Sequence, residues 1–192
     1  INITLRNALK ETYFGKDSYE INRFILAHTI LFSMEGIPAV YIQNLIGSSN
    51  DYIKVKKTGL NRAINRGNWE FEKILCKLSD KNSKNYKILY ELKKIINLRK
   101  KQPAFHPNAT QFTLQLDNSF FGIWRQSLDR SQSIFCVSNL TRFKKKISLL
   151  DINLISINDW HDILTKKKIK NISGDFTLKP YQTFWITNKT YK

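Results

Sequence analysis

Residues 34–42 read Met34-Glu35-Gly36-Ile37-Pro38-Ala39-Val40-Tyr41-Ile42. A short apolar run after a glycine predicts a strand over 37–42, buried on both faces as in a parallel sheet. Pro38 fits only near the start of such a strand, where no ladder donor is required. From residue 43 to residue 68 the character changes. Gly47, Ser48, Ser49, Asn50, Asp51, Gly59, Asn61, Arg62, Asn65, Arg66 and Gly67 fall there among few apolar anchors. A connection that long without periodicity predicts a binding loop or a disordered segment. Parallel α/β proteins place their sites at that end of a strand.

Outward from this stretch the pattern is helical. Ile21, Phe24, Ile25, His28, Leu31 and Phe32 recur at helical spacing, with Ser18 as N-cap, and predict a helix over 18–34. His28 lies on its apolar face and reads as a core histidine. Trp69 opens a second helical stretch with Phe71, Ile74, Leu75 and Leu78. A third follows over 84–101, with Ile88, Leu89, Leu92, Ile95 and Ile96 on one face and Lys93, Lys94, Lys100 and Lys101 on the other. Helix followed by parallel-type strand is the repeat of a β/α barrel. Its last helix is expected to pack on 37–42.

Pro103 and Pro107 mark a boundary, and beyond them the period becomes two. Strands are predicted at 110–116, 119–126, 132–138, 145–150, 159–164, 172–178 and 182–187, an antiparallel sandwich. Phe120, Ile123, Phe135, Val137, Phe176, Leu178, Phe184 and Ile186 are its expected core. The fold class read from the sequence is therefore α/β plus all-β. Residues 1–104 form the C-terminal portion of a (β/α)8 barrel, its last helices and strand, and 105–192 form a β-sandwich.

Four blocks in order carry a resemblance. They are residues 33–42, residues 45–51 with 58–66, Leu98-Arg99-Lys100-Lys101-Gln102-Pro103-Ala104-Phe105-His106-Pro107, and Lys179-Pro180-Tyr181-Gln182-Thr183-Phe184-Trp185. Together they resemble the sucrose phosphorylase-like enzymes of glycoside hydrolase family 13, the α-amylase clan. The resemblance implies transfer of a glucosyl group from sucrose or a related glucoside to phosphate or water, in carbohydrate metabolism. It implies that Arg62 reaches the glucose, because a guanidinium offers vicinal hydroxyls several donors in one plane. Asn50 and Asp51 match the loop that shapes the acceptor side, and Asn65 and Arg66 are candidate supports. Gln43 departs from the histidine common at that place in the family.

Retaining glycosyl transfer needs two carboxylates, a nucleophile and an acid. In the resembling family these and a stabilising Asp precede the stretch that matches Ile1. Glu35 sits at the wrong end of the predicted strand and Asp51 stands alone. The chain starts with Ile and is less than half as long as family members. It is accordingly expected to be a C-terminal portion, inactive without the rest of the barrel.

Net charge is +17, from 32 basic and 15 acidic residues. Charge alone supports only non-specific polyanion binding. The lysines are spread along the chain without a recognition motif, so nucleic acid is not the expected partner. A basic nucleic-acid-binding module and an inactive remnant stand as alternatives. Cys76 and Cys136 are expected as free thiols in a cytoplasmic protein. No metal spacing, cofactor motif or membrane-length apolar run is present.

Overall fold

The helical part of the chain forms where the periodicity predicts it, with trimmed ends. In chain order the computed structural model has α1 (Leu5–Ala8), a small hairpin of β1 (Glu11–Thr12) and β2 (Gly15–Lys16), and α2 (Glu20–Ser33). It continues with α3 (Ile42–Leu45), α4 (Tyr52–Thr58), a 3-10 turn at Asn61–Asn65, α5 (Phe71–Ser79) and α6 (Lys84–Arg99). The structure describes residues 2–152, 160–169 and 175–189. They divide into two units, Ile1–Ile25 with Ala39–Lys94 and Leu26–Pro38 with Ile95–Lys192.

In the first unit, the segment 43–68 is not the structureless loop its composition predicts. Asp51 caps α4 by accepting a hydrogen bond from the Lys54 amide at 2.8 Å, and Gly59 ends it in the left-handed conformation, φ 68°. The predicted strand also differs. Tyr41 has extended backbone, φ −65° and ψ 134°, but residues 37–41 join no ladder and α3 already begins at Ile42. Ile37 is 85% exposed and Ile42 57%. A doubly buried strand needs hydrogen-bonding neighbours on both edges, and no described residues supply them. The predicted face of α6 is largely correct, with Ile88, Leu92 and Ile95 buried. Ile88 lies against Gly47 rather than against a strand.

In the second unit all seven predicted strands are found, shortened or shifted at their ends; positions 149–150 of the strand predicted at 145–150 instead open a short helix, Leu149–Ile152. The strands are β3 (Thr110–Thr113), β4 (Phe120–Gln126), β5 (Ser133–Asn139), β6 (Lys145–Ser148), β7 (His161–Asp162), β8 (Asp175–Leu178) and β9 (Thr183–Thr187). Position 159 and positions 172–174 of the predictions lie outside the described residues. A five-stranded antiparallel sheet, in the order β3-β4-β5-β9-β7, faces a two-stranded one of β6 and β8. Between them Phe135, Val137, Ile147, Trp160, Leu178 and Ile186 are buried together, and Phe120, Phe176 and Phe184 pack on them.

Ile123 is buried as predicted, but on the other face of the sheet. It is paired in register with Cys136, and Cys136 with Trp185, so the three lie on the face opposite Phe135 and Ile186. Arg125, fully buried, shares that face with Ile123. Its guanidinium donates to Ser33 O (3.0 Å), His106 O (2.9 Å) and Ala109 O (3.2 Å). Trp185 Nε1 donates to Ser33 Oγ at 2.8 Å, and Ser33 Oγ to Thr29 O at 2.7 Å. His28 is buried beside Phe32, as a core histidine should be.

Two outcomes are expected. Arg125→Met strips the buried Ser33 and Ala109 carbonyls of this donor, leaves His106 O only the Ala109 amide, and lowers unfolding free energy in urea by about 3 kcal/mol. Arg125→Lys recovers little, because an ammonium cannot present that planar fork. Burial pushes the Cys136 thiol up to about 12, whereas Cys76 is exposed. The native chain should react with an aromatic disulfide reagent at one thiol at pH 8, and at both after denaturation.

Candidate functional site

Segment 43–68 is held to the start of the chain by side-chain to backbone bonds, and these bonds shape two clefts in the first unit. The larger, 480 Å³, is lined by Arg6, Gln43, Ser48, Asn50, Asp51, Trp69 and Lys77 among others. Its floor is Gly47. The Gly47 carbonyl accepts hydrogen bonds from Arg6 Nη1 (2.5 Å) and Asn85 Nδ2 (3.2 Å). Arg6 also pairs with Glu20 at 3.1 Å, and Lys84 pairs with the same carboxylate at 2.5 Å. Burial raises the Glu20 pKa, but hydrogen bonds and charge from Lys84 and Arg6 outweigh it and leave it below the usual value.

Along one wall runs a relay. Trp69 Nε1 donates to Ser48 Oγ (2.7 Å), Ser48 Oγ to Gln43 Oε1 (2.5 Å), and Gln43 Nε2 to Gly67 O (2.9 Å). Gln43 is thereby committed to the protein on both sides of its amide. Asp51, the only carboxylate lining the cleft among the described residues, is engaged by the start of α4. A single carboxylate cannot supply both roles of retaining transfer.

The smaller cleft, 220 Å³, is lined by Ile3, Thr4, Leu5, Tyr41, Gln43, Asn44 and Asn65. With its amide oriented to satisfy both groups, Asn65 accepts from Arg62 Nη1 and donates to Arg62 O, each at 3.2 Å. Arg62 is exposed, so its guanidinium stands beside Asn65 with donors unused. Arg66 is exposed as well, and its carbonyl accepts from Lys54 Nζ at 2.6 Å.

The five residues nominated from the sequence are thus separated. Asn50 and Asp51 border the larger cleft, Asn65 lines the smaller with Arg62 beside it, and Arg66 lines neither. Sequence reasoning did not single out Tyr41, Asn44 or Thr4 as cleft residues. Tyr41 was assigned to a strand interior, and only its 51% exposure reveals it. Among the described residues no group of His, Cys, Asp and Glu could hold a metal, and no helix is long and apolar enough to cross a membrane.

No family model matches the chain. Glucosylglycerate phosphorylase of Escherichia coli K12 is 35% identical over 187 residues, 97% of this chain and 32% of that protein. The enzyme of the same name from Allomeiothermus silvanus is 34% identical over 96% of this chain and 30% of that protein. Sucrose 6(F)-phosphate phosphorylase of Thermoanaerobacterium thermosaccharolyticum is 32% identical over 50% of this chain. The chain therefore spans about a third of the length of the curated relatives it matches across most of its own. Among solved structures, AmyP in complex with maltose superposes with a TM-score of 0.72 at 15% identity, over 91% of this chain and 36% of that one. Bacillus licheniformis trehalose-6-phosphate hydrolase does so with a TM-score of 0.63 at 16% identity, over 88% of this chain and 39% of that one. These likenesses show the fold, a partial barrel with an antiparallel sheet domain, and agree with the fold class read from the sequence.

Gly47 gives the site its sharpest test. Its φ is +63°, and a Cβ there would sit 2.6 Å from Ile88 Cδ1. Gly47→Ala should destabilise the first unit by about 1–3 kcal/mol, read as a shifted urea midpoint with the slope unchanged.

Proposed function

We infer that this chain, a relative of the sucrose phosphorylase-like enzymes of glycoside hydrolase family 13, is the C-terminal third of a glucoside phosphorylase. The observation that carries the reading is the match to glucosylglycerate phosphorylases over 97% of the chain. The match to the sucrose-phosphate enzyme covers only 50%. Glucosylglycerate is accordingly the first substrate to test, and sucrose the second.

On this reading the rest of the barrel supplies two carboxylates. One attacks the anomeric carbon as the glycosidic bond breaks, and the other protonates the departing oxygen. Phosphate oxygen then displaces the carboxylate from that carbon and yields glucose 1-phosphate. This chain contributes binding. Arg62, steadied by Asn65 at the rim of the smaller cleft, donates to glucose hydroxyls, and Tyr41 and Asn44 border the acceptor. Asn50, Asp51 and Arg66 hold the segment that carries them. The proposed modules are residues 1–104, completing a (β/α)8 barrel, and 105–192, the sandwich. Two free thiols suit a cytoplasmic enzyme. The chain alone should show no turnover.

The test is a chimera in which this chain replaces the matching third of the Escherichia coli enzyme. Phosphate-dependent release of glucose 1-phosphate from glucosylglycerate supports the reading, and a folded chimera without it overturns it. In the active chimera Arg62→Ala should lower kcat/KM by roughly 10- to 100-fold, the worth of hydrogen bonds from a charged donor. Arg66→Ala should stay within about threefold.

A further inference from the structure

Asn50 was expected to touch the acceptor, yet nearly all its hydrogen-bonding capacity is spent inside the protein. Its Oδ1 accepts from both the Thr4 amide (2.8 Å) and Thr4 Oγ1 (2.9 Å). Its own amide donates to Asn7 Oδ1 at 2.8 Å, and its Nδ2 to the Tyr52 hydroxyl at 3.0 Å. Asn7 in turn donates its amide to Thr4 Oγ1 at 3.3 Å. Thr4 is 5% exposed. Two segments 43 residues or more apart are thus closed on each other by reciprocal bonds.

The first of those segments borders the smaller cleft; the second borders the larger one and is tied to the smaller through the Asp51 amide, which donates to Ile64 O (2.8 Å) beside Asn65. Ile3, Thr4 and Leu5 form one side of the smaller cleft, and Tyr41, Asn44 and Asn65 the other. Thr4 also caps α1, its Oγ1 accepting from the Asn7 amide and lying 3.0 Å from Asn7 Oδ1, but it is the bonds from its amide and hydroxyl to one oxygen of Asn50 that tie it to the distant segment. We propose that Asn50 and Asn7 form a clasp that sets the width of the smaller cleft, so that they are positioning residues for acceptor selection and touch no substrate themselves. This rests on reading that cleft as the acceptor side. The occupant it fits is a small polyhydroxylated acceptor such as a sugar acid, held by Tyr41 and Asn44 while Arg62 holds the glucose.

The chemistry of the clasp separates it from direct binding. An aspartate at position 50 keeps the oxygen that accepts both Thr4 bonds, and the Tyr52 hydroxyl can turn to donate to its second oxygen. An alanine keeps neither. Displacing one wall by a fraction of an ångström to an ångström costs on the order of 10- to 100-fold in an oriented reaction.

The experiment has two arms. In the chain itself, Asn50→Ala should speed hydrogen exchange at the Thr4 amide by at least about tenfold, while Asn50→Asp leaves it protected. In the chimera, Asn50→Ala and Asn7→Ala should raise KM for glucosylglycerate by about tenfold with kcat changed less, and Asn50→Asp should restore KM. Unchanged Thr4 exchange in Asn50→Ala overturns the clasp. So does Asn50→Asp being as impaired in KM as Asn50→Ala, which would show that the amide meets substrate. A chimera inactive before any substitution sinks the functional reading instead, and leaves the Thr4 exchange to decide whether the clasp exists. Circular dichroism melts of each variant distinguish an opened clasp from an unfolded unit.

Discussion

A guanidinium that forms no salt bridge with a carboxylate among the described residues holds the second unit together. Arg125 ends on three carbonyl oxygens, one of them at the C-terminal end of α2. Burial lowers its pKa, with nearby Arg99 adding to the effect, yet an arginine remains charged at any ordinary pH. The cation is tolerated because the end of a helix carries partial negative charge and unbonded carbonyls. The Phe105 ring lies 5.9 Å away and adds its electron-rich face. Nε has no partner among the described residues, so the arrangement is not fully satisfied. Losing the three bonds to carbonyls would cost far more than that one orphan does.

This one side chain explains why the sheet is covered on its second face as well as on the one that meets β6 and β8. With Arg125 inward on the face of Ile123, Cys136 and Trp185, that face cannot be left to water without exposing the bonds that anchor the helix end. Trp185 strengthens the same junction through Ser33. Its ring meets Phe105 at 4.5 Å. The opposite face meets the two-stranded sheet through Phe135, Val137 and Ile186. Strand β5 shows the consequence in its sequence. Ile134, Phe135, Cys136 and Val137 are buried without a break, where a strand with one wet face would alternate.

Legibility followed from where each element finds its partners. The strands after residue 109 were readable because alternation and turn residues mark each one, even where its ladder partner is distant, as between β5 and β9, and all seven appear. The longer helices α2, α5 and α6 were readable from spacing alone. Residues 37–42 misled because a run of apolar residues announces burial but cannot name what buries it. The backbone is extended at Tyr41, yet no described segment pairs there. Arg125 could not have been foreseen, since an arginine in an alternating strand reads as an outward residue until the helix end is seen opposite it. The short helices inside 43–68 were hidden because Asn, Asp, Ser and Gly carry the same signal for a loose loop as for capped turns.

That last ambiguity governs how the candidate site should be understood. Ordering the backbone of such a segment costs on the order of 1–2 kcal/mol per residue. Few apolar side chains are present to offset it, so hydrogen bonds within the segment must do so. Asp51 is taken by the Lys54 amide, Gln43 and Ser48 by the Trp69 relay, and Asn50 by Thr4 and Asn7. Polar residues that look like ligand contacts in a sequence are therefore mostly the loop's own scaffold. Capacity to bind resides in what that scaffold leaves over, namely a guanidinium with donors unused beyond Asn65, and the Tyr41 and Asn44 side chains bordering the same cleft. A rigid loop with few spare groups is selective for the same reason that it is ordered: each internal bond removes both a degree of freedom and a competing site for the substrate.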